Sequence, residues 1–261
     1  MNQWSTNRKR IILILVIFVL VVLIGAPIYF FFHKAPTCFD KIKNGDETGV
    51  DCGGSCELVC TTETLPLLLK GDPQILRVAT STYEVALLIQ NPNVSAEILR
   101  APFTISLYSA NSPLPLKTIG EETFVPKNSS FGIFEGPFNF PGDVPTRATF
   151  TWAENALMWQ KDLTPTPDLK ISDEALSKTD SEPRLEATIT NPNLVSVMNI
   201  ELVAFILDEN GNMVGASKTF VDNLDAGQSA PLIFTWPAPF QGNPATFQII
   251  PRILPNKSYL K

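Results

Sequence analysis

The chain is short of the side chains that carry most enzyme chemistry. Its 261 residues include one histidine, His33, and four cysteines confined to positions 38–60. Everything beyond residue 33 therefore lacks an imidazole for general-base catalysis. There is no glycine-rich phosphate loop, since Gly53-Gly54 stands alone between cysteines. Carboxylates such as Asp222 and Asp225 fall in turn-rich sequence, and nothing singles out an acid–base pair. The expectation is a protein that is not an enzyme. Charge is scarce too, at 18% of residues against 44% hydrophobic, which argues against intrinsic disorder. Twenty-two prolines argue against a mostly helical fold. Basic residues are in deficit where it matters. Arg8, Lys9, Arg10 and Lys34 precede the first acidic residue, Asp40, leaving 16 basic against 26 acidic side chains from residue 35 onward. Such a surface repels a phosphate backbone, so no nucleic-acid partner is expected.

One long apolar run breaks this pattern. Residues 11–32, IILILVIFVLVVLIGAPIYFFF, carry no charge. As a helix they extend ~33 Å, enough for a hydrocarbon core of ~30 Å. A cleaved signal peptide is the competing reading, but its apolar region is shorter and ends at a small-x-small site. Here Gly25-Ala26-Pro27 is followed by five further apolar residues. The run predicts an uncleaved transmembrane signal anchor over residues 11–33, after a cytoplasmic tail at 1–10. Tyr29 and His33 are expected at its outer interface. Arg8-Lys9-Arg10 keeps the N-terminus in the cytoplasm by the positive-inside rule, with Lys34 as the one opposing charge. The bulk of the chain is then extracellular or periplasmic, on a single-pass membrane protein.

Cys38, Cys52, Cys56 and Cys60 define a small segment, taken as residues 34–62. On the oxidising side of a membrane, two disulfides are the default, with three pairings open. A segment this small has no core, so cross-links replace burial. Two rivals stand beside that reading. Zinc needs paired ligands on both sides, and Cys38 has no near neighbour. Calcium is offered hard oxygens by Asp40, Asn44, Asp46 and Asp51, with Glu47 alongside, though not at EF-hand spacing; solvated turn residues are the alternative. Otherwise no cofactor is expected.

The segment also fits a pattern, C-x-D-x-x-x-N-G-x-E-T-x-x-D-C-G-G-x-C, running from Cys38 through Asn44-Gly45, Glu47-Thr48 and Asp51-Cys52-Gly53-Gly54 to Cys56. It resembles a DCGG-type cysteine-rich motif of bacterial surface and secreted proteins. The resemblance implies a bacterial cell-envelope protein and carries no activity.

Beyond it lies an internal repeat. Residues 87–93, LLIQNPN, are matched one hundred positions later by residues 187–193, ATITNPN. The same offset relates Leu107 to Leu207, and Ile133-Phe134 to Ile233-Phe234. A repeat of this length suits a whole domain. Val85, Leu87 and Ile89 alternate with Glu84, Ala86 and Leu88, as do Leu185, Ala187 and Ile189 with Arg184, Glu186 and Thr188. Met198, Ile200, Leu202, Ala204 and Ile206 continue the period of two, which predicts half-buried strands. Turns are expected at 126–129, 208–212 and 225–228, with Gly211 free to take positive φ. Six or seven strands per copy predict a mainly β fold: two tandem immunoglobulin- or fibronectin-like β-sandwiches after a single N-terminal transmembrane helix. Their expected bounds are 63–161 and 162–261, joined by Thr164-Pro165-Thr166-Pro167 as a short stiff linker. The architecture expected is a stalk of anchor, cross-linked knob, sandwich and sandwich.

Each Asn-Pro-Asn triplet has a plain structural explanation: proline ends ladder pairing, and the flanking asparagines bond the turn backbone. As sequence, the triplet after an alternating strand resembles the WHy domains of late-embryogenesis-abundant proteins. Residues 205–211, FILDENG, resemble the FxLYD domains of bacterial envelope proteins, a match that is weaker in the first copy, where Leu107-Tyr108-Ser109 lacks the Asp and Gly. Both resemblances imply an immunoglobulin-like sandwich over roughly residues 65–255, and neither supplies catalytic residues.

Aromatic side chains offer the one possible contact patch. Phe138 and Phe140 lie in GPFNFPG, too punctuated for a regular strand, and Trp236 and Phe240 cluster in the second copy. Core packing is the competing account. Two function classes follow. One is a surface interaction module displaying both sandwiches to a protein or glycan partner; the other is a structural or assembly component of an envelope complex. Three N-x-S sequons, at Asn93, Asn128 and Asn256, matter only in a eukaryotic secretory pathway.

Overall fold

The computed structural model describes residues 3–32 and 37–255, with side chains for residues 8–29 and 37–255. His33, Lys34 and Asn256 lie outside the described residues. The chain divides into two units, Met1–Cys56 and Glu57–Lys261.

The first unit opens with helix α1, Gln3–Phe32, which starts eight residues before the apolar run and contains Pro27. Within Arg8–Tyr29 a run of 18 residues has a mean hydropathy of 3.4, and none of that run is buried against protein. Such a helix satisfies its own backbone and leaves its apolar side chains largely exposed. The cysteine segment follows.

In the second unit each copy builds two antiparallel sheets. The first copy contributes β1 (Leu68–Leu69), β2 (Gln74–Ala79), β3 (Thr82–Asn91), β4 (Ala96–Ser109), β5 (Lys117–Val125), β6 (Ser129–Asn139), β7 (Pro145–Trp152) and β8 (Gln160–Lys161). β3 is central to one sheet, with β1 and β2 on one side and β6 on the other. β4 is central to the second, between β5 and the pair β7 and β8. The second copy repeats the plan with β9 (Lys170–Ser177), β10 (Arg184–Thr190), β11 (Val197–Leu207), β12 (Met213–Leu224), β13 (Ser229–Thr235) and β14 (Thr246–Ile253). Its sheets run β13-β10-β9 and β12-β11-β14. These are two tandem sandwiches. Each core is filled by the inward side chains of both sheets: Val85, Leu87, Ile89, Phe103, Ile105 and Phe131 in one, Leu185, Ile189, Ile200, Leu202 and Phe234 in the other.

Register corrects two expectations. The offset of one hundred holds through the Asn-Pro-Asn triplets and then slips to ninety-nine. Leu87 faces Ile133, whereas Ala187 faces Leu232; Leu107 faces Ala148, whereas Ile206 faces Phe247. A slip of one moves a side chain to the opposite face. Phe134 therefore points out of its sandwich while Phe234 is in the core, so the matched letters are not equivalent positions. Second, Met198 is not inward. Asn199 takes a left-handed φ of 56°, which breaks the alternation, so Val197 is buried and Met198 is 52% exposed. The punctuated GPFNFPG is no regular strand, as its sequence predicts, yet it stays within β6. β6 bulges at Gly136 (φ 134°) and Pro137 and resumes pairing at Phe138, opposite Tyr83.

The Asn-Pro-Asn triplets act alike in both copies. Asn91 is fully buried and donates to the carbonyls of Ala96 and Pro126, each at 2.9 Å. Its Oδ1 accepts from the backbone and side chain of Asn93. Asn93 in turn donates to Leu65 O and accepts from Leu65 N. Asn191 repeats this with Val195, Leu224 and Asn193, and Asn193 with Asp168. One asparagine ties the strand end to two loops, and the other ties down the incoming chain. With its side chain so engaged, Asn93 is 8% exposed and is no glycan acceptor.

Candidate functional site at the seam between the sandwiches

Strands with apolar residues on both faces are buried on both faces. β3 presents Val85, Leu87 and Ile89 inward and Ala86 and Leu88 outward; β11 presents Leu202, Ala204 and Ile206 inward and Val203 and Phe205 outward. The outward sets meet. Leu76, Ala86, Leu88 and Phe134 of the first sandwich pack on Val203, Phe205, Ala216 and Ile250 of the second. The two copies are therefore four stacked sheets, not separate beads on a stalk. Gly132 sets the approach: a Cβ there would lie 2.6 Å from the Phe205 ring and 2.9 Å from Val203.

A charged lock closes one border of this apolar seam. Arg252 on β14 and Glu201 on β11 are both nine-tenths buried or more. Arg252 Nε donates to Glu201 Oε1 at 3.0 Å, and Nη2 reaches the same oxygen. Its Nη1 crosses to the first sandwich, donating to Thr123 Oγ1 and Phe124 O on β5, each at 2.8 Å. The guanidinium also lies 5.2 Å from the Phe131 ring centroid. Lys218 Nζ, 4.0 Å from Glu201 Oε2, donates to Phe134 O at 3.5 Å. Burial raises the pKa of Glu135 beside it; Lys218 opposes the shift, and Glu121 and Glu201 reinforce it. Burial likewise pushes Glu84 up to about 7.

Clefts flank the seam. One of about 360 Å³ is lined by Arg100, Glu122, Thr123, Glu201 and Arg252. Another of about 350 Å³ has Leu88, Phe205 and Met213 in its walls with Lys70, Asp72 and Gln248. The charged groups of the lock are engaged with one another and with backbone carbonyls. Its chemistry is that of a fastening, and no activated nucleophile is found at it among the described residues.

The sequence-derived residues fall elsewhere. Cys38 and Cys56 form a disulfide with Cα atoms 5.7 Å apart. Cys52 and Cys60 are also disulfide-bonded, and none of the described cysteines is free. Sulfur, being oxidised, offers no thiolate to zinc, although Cys38, Cys56 and Glu47 do converge. The calcium candidates divide. Asp51 accepts the amides of Asp40 and Lys41 at 3.0–3.1 Å, and Asp40 accepts Ile42 N and Asn44 Nδ2. These bonds, that from Asn44 foremost, hold Asp40 below the usual carboxylate pKa. Asp46 turns away to Ser55 Oγ at 2.8 Å. The buried Glu47 takes Asn44 N and Asp51 N. The motif's fixed acidic and amide residues thus fold its backbone in place of a core. Its glycines are as constrained: a Cβ on Gly54 (φ 54°) would sit 2.1 Å from Asp46 O.

The aromatic patch is not an open surface. Trp236 is 4% exposed, donates to Ala216 O at 2.8 Å, and carries Phe240 edge-on at 5.1 Å. Phe138 and Phe140 are half-buried against the first core; Lys117 lies 5.0 Å over Phe138, and Phe140 meets Tyr83 edge-on. Sandwich cores need large inward rings, and these rings supply them. Sequence reasoning passed over the seam, whose signal was present in the outward Ala86-Leu88 and Val203-Phe205.

No protein-family model matches the chain, and no curated protein matches it. Among solved structures it is similar to the crystal structure of red sea bream transglutaminase, at 11% sequence identity and a TM-score of 0.22. The similarity covers 72% of this chain and 31% of that one.

Proposed function

We propose that this chain is a non-catalytic, single-pass membrane protein of a bacterial envelope, with its N-terminus in the cytoplasm and its cysteine segment and two sandwiches outside. The observation that carries this reading is the helix stretch Arg8–Tyr29, strongly apolar and without any burial against protein. Water does not tolerate so large an exposed apolar surface; a bilayer removes the cost. Oxidised cysteines support the same side for the rest of the chain. The resemblance of the segment 38–56 to envelope motifs supports the bacterial setting.

On that membrane the sandwiches form an interaction module for a protein or glycan partner. The burial of Trp236, with Phe240 half-buried against it, favours the second reading, a structural or assembly component, because these rings of the expected contact cluster pack on the core. Alkaline carbonate extraction of native membranes, with protease added to intact spheroplasts, tests the common premise. The chain should stay in the pellet, and residues beyond 61 should be digested. A chain released by carbonate, or a protected C-terminal region, refutes the topology.

A further inference from the structure

Large exposed apolar side chains recur on the cysteine segment just after α1. Phe39 is 80% exposed, Ile42 62% and Val50 56%. They cannot retract into a core, because the segment has none and its backbone is fixed. The Cys38–Cys56 disulfide closes it, Asp51 grips the amides of Asp40 and Lys41, and Lys41 holds a left-handed φ of 61°. The charges are sorted as well. Asp40, Glu47 and Asp51 turn their carboxylates onto the segment's own amides, and Asp46 turns to Ser55. Lys41 and Lys43 remain exposed beside Phe39 and Ile42.

We infer that this segment is a second membrane contact, with Phe39, Ile42 and Val50 set into the interfacial layer of the outer leaflet and Lys41 and Lys43 among anionic headgroups. The inference rests on the reading of α1 as a membrane anchor. Cys38 is six residues from Phe32, the last residue of α1, so the fully extended chain between them spans at most ~20 Å. A bilayer held by the helix is therefore always within reach of the segment, at an effective concentration no soluble partner matches. Aromatic and aliphatic side chains flanked by lysine are the composition that settles at a headgroup boundary. The contact gives the span a rigid outer stop.

The test uses the full chain reconstituted in phosphatidylcholine vesicles with phosphatidylglycerol, some carrying lipids brominated near the headgroup end of the acyl chain. Phe39→Trp and, separately, Ile42→Trp add one fluorophore each; mass spectrometry without reduction checks that no thiol is freed. The added emission should shift to the blue and fall by about half with the brominated lipids, relative to the native chain. Lys41→Glu with Lys43→Glu should reduce that quenching where phosphatidylglycerol is present. On the unsubstituted chain, a photoactivatable lipid should crosslink to peptide 38–56. Carbonate extraction of the same vesicles reads the anchor independently. A chain that resists extraction while neither fluorophore is quenched and no crosslink forms overturns the second contact and leaves the anchor standing. A chain that is extracted overturns both.

Discussion

The two sandwiches share a fold and one clamp, yet their outer faces differ. The first copy turns an apolar sheet outward through β2, β3 and β6; in the second copy the matching sheet carries Glu186, Thr188 and an exposed Ile233. The reverse holds for the other sheet. β11 and β12 of the second copy are apolar outside, while β4 and β5 of the first carry Thr104, Ser106 and Thr118, with Ser106 and Thr118 hydroxyls 3.2 Å apart. Two non-equivalent faces therefore meet, a head-to-tail contact of the kind that propagates unless something stops it. The polar outer sheets stop it, as terminal repeats do in stacked arrays. The copies share a fold, and the one apolar outer face on each fixes the number of layers.

The lock at the seam is the place to break this comparison hardest. Arg252→Met leaves Glu201 buried without its partner, and should cost about 3–5 kcal/mol in urea unfolding of the full chain. Converting Glu201 to Met as well should return most of that loss, since well-packed apolar groups replace a buried pair at little cost. If the single and double variants were equally unstable, the pair would be packing rather than electrostatics.

The shared clamp comes next. Asn91→Ala removes the donor to two loop carbonyls and Asn191→Ala the donor to three, and each takes the acceptor from the amide of its triplet's second asparagine, a loss of about 2–3 kcal/mol apiece. Equal costs mean the clamp is interchangeable between copies; a cost confined to Asn91 would show that the second copy leans on the first.

Glycine positions then sharpen the contrast between an apolar and a polar face. Gly132→Val overpacks the seam against Phe205 and Val203, and should lose about 1–3 kcal/mol. Gly120 lies on the polar outer sheet with open space around its Cα, so Gly120→Ala should be tolerated or slightly stabilising. Thermal unfolding of the pair reads the difference directly. Equal shifts would mean that the sandwiches do not press on one another at Gly132.

Much of this was legible in the residues. Period-two patterning over Val85, Leu87 and Ile89 located strands and their inward side, and the Asp208–Asn212 turn formed as its chemistry predicts, with Gly211 at φ 80° and Asp208 bonding Asn210 and Asn212. The triplets were legible in part: Asn91 and Asn191 bond the local turn at Ala96 and Val195, as their chemistry predicts, whereas their bonds to Pro126 and Leu224 join loops distant in sequence. What stayed hidden is what depends on distant partners. Arg252 and Thr123 are 129 residues apart, and nothing local marks either as half of a lock. Matching letters misled where a one-residue slip exchanged inside for outside, as at Phe134 and Phe234. Outward alanine and leucine on β3 looked like tolerance for a solvated face, when they were the imprint of a second sheet.

The smallest expected effect concerns a position where the copies differ in sign of charge. Glu84 on β3 has Arg184 as its counterpart on β10, and Arg184 sits in an exposed pair with Glu186. Burial raises Glu84 from its ordinary value of 4.5 to about 7 in the folded chain. Below pH 4.5 both states hold the proton, and the group costs nothing. From pH 4.5 to about 7 the unfolded chain ionises while the folded one does not, so stability falls as pH rises. Above that range both are ionised and the loss levels off. Glu97 adds to the same slope, its pKa raised to about 7 by burial first and Asp162 second, against Lys127. Glu84→Gln should therefore flatten part of the decline between these limits, by well under the cost of breaking the lock because the carboxyl is half exposed. Arg184→Gln should leave the slope unchanged, since its partner stands in water. Urea midpoints taken across that range decide it: an identical slope in native and Glu84→Gln chains would mean that the seam side of β3 is as wet as its counterpart.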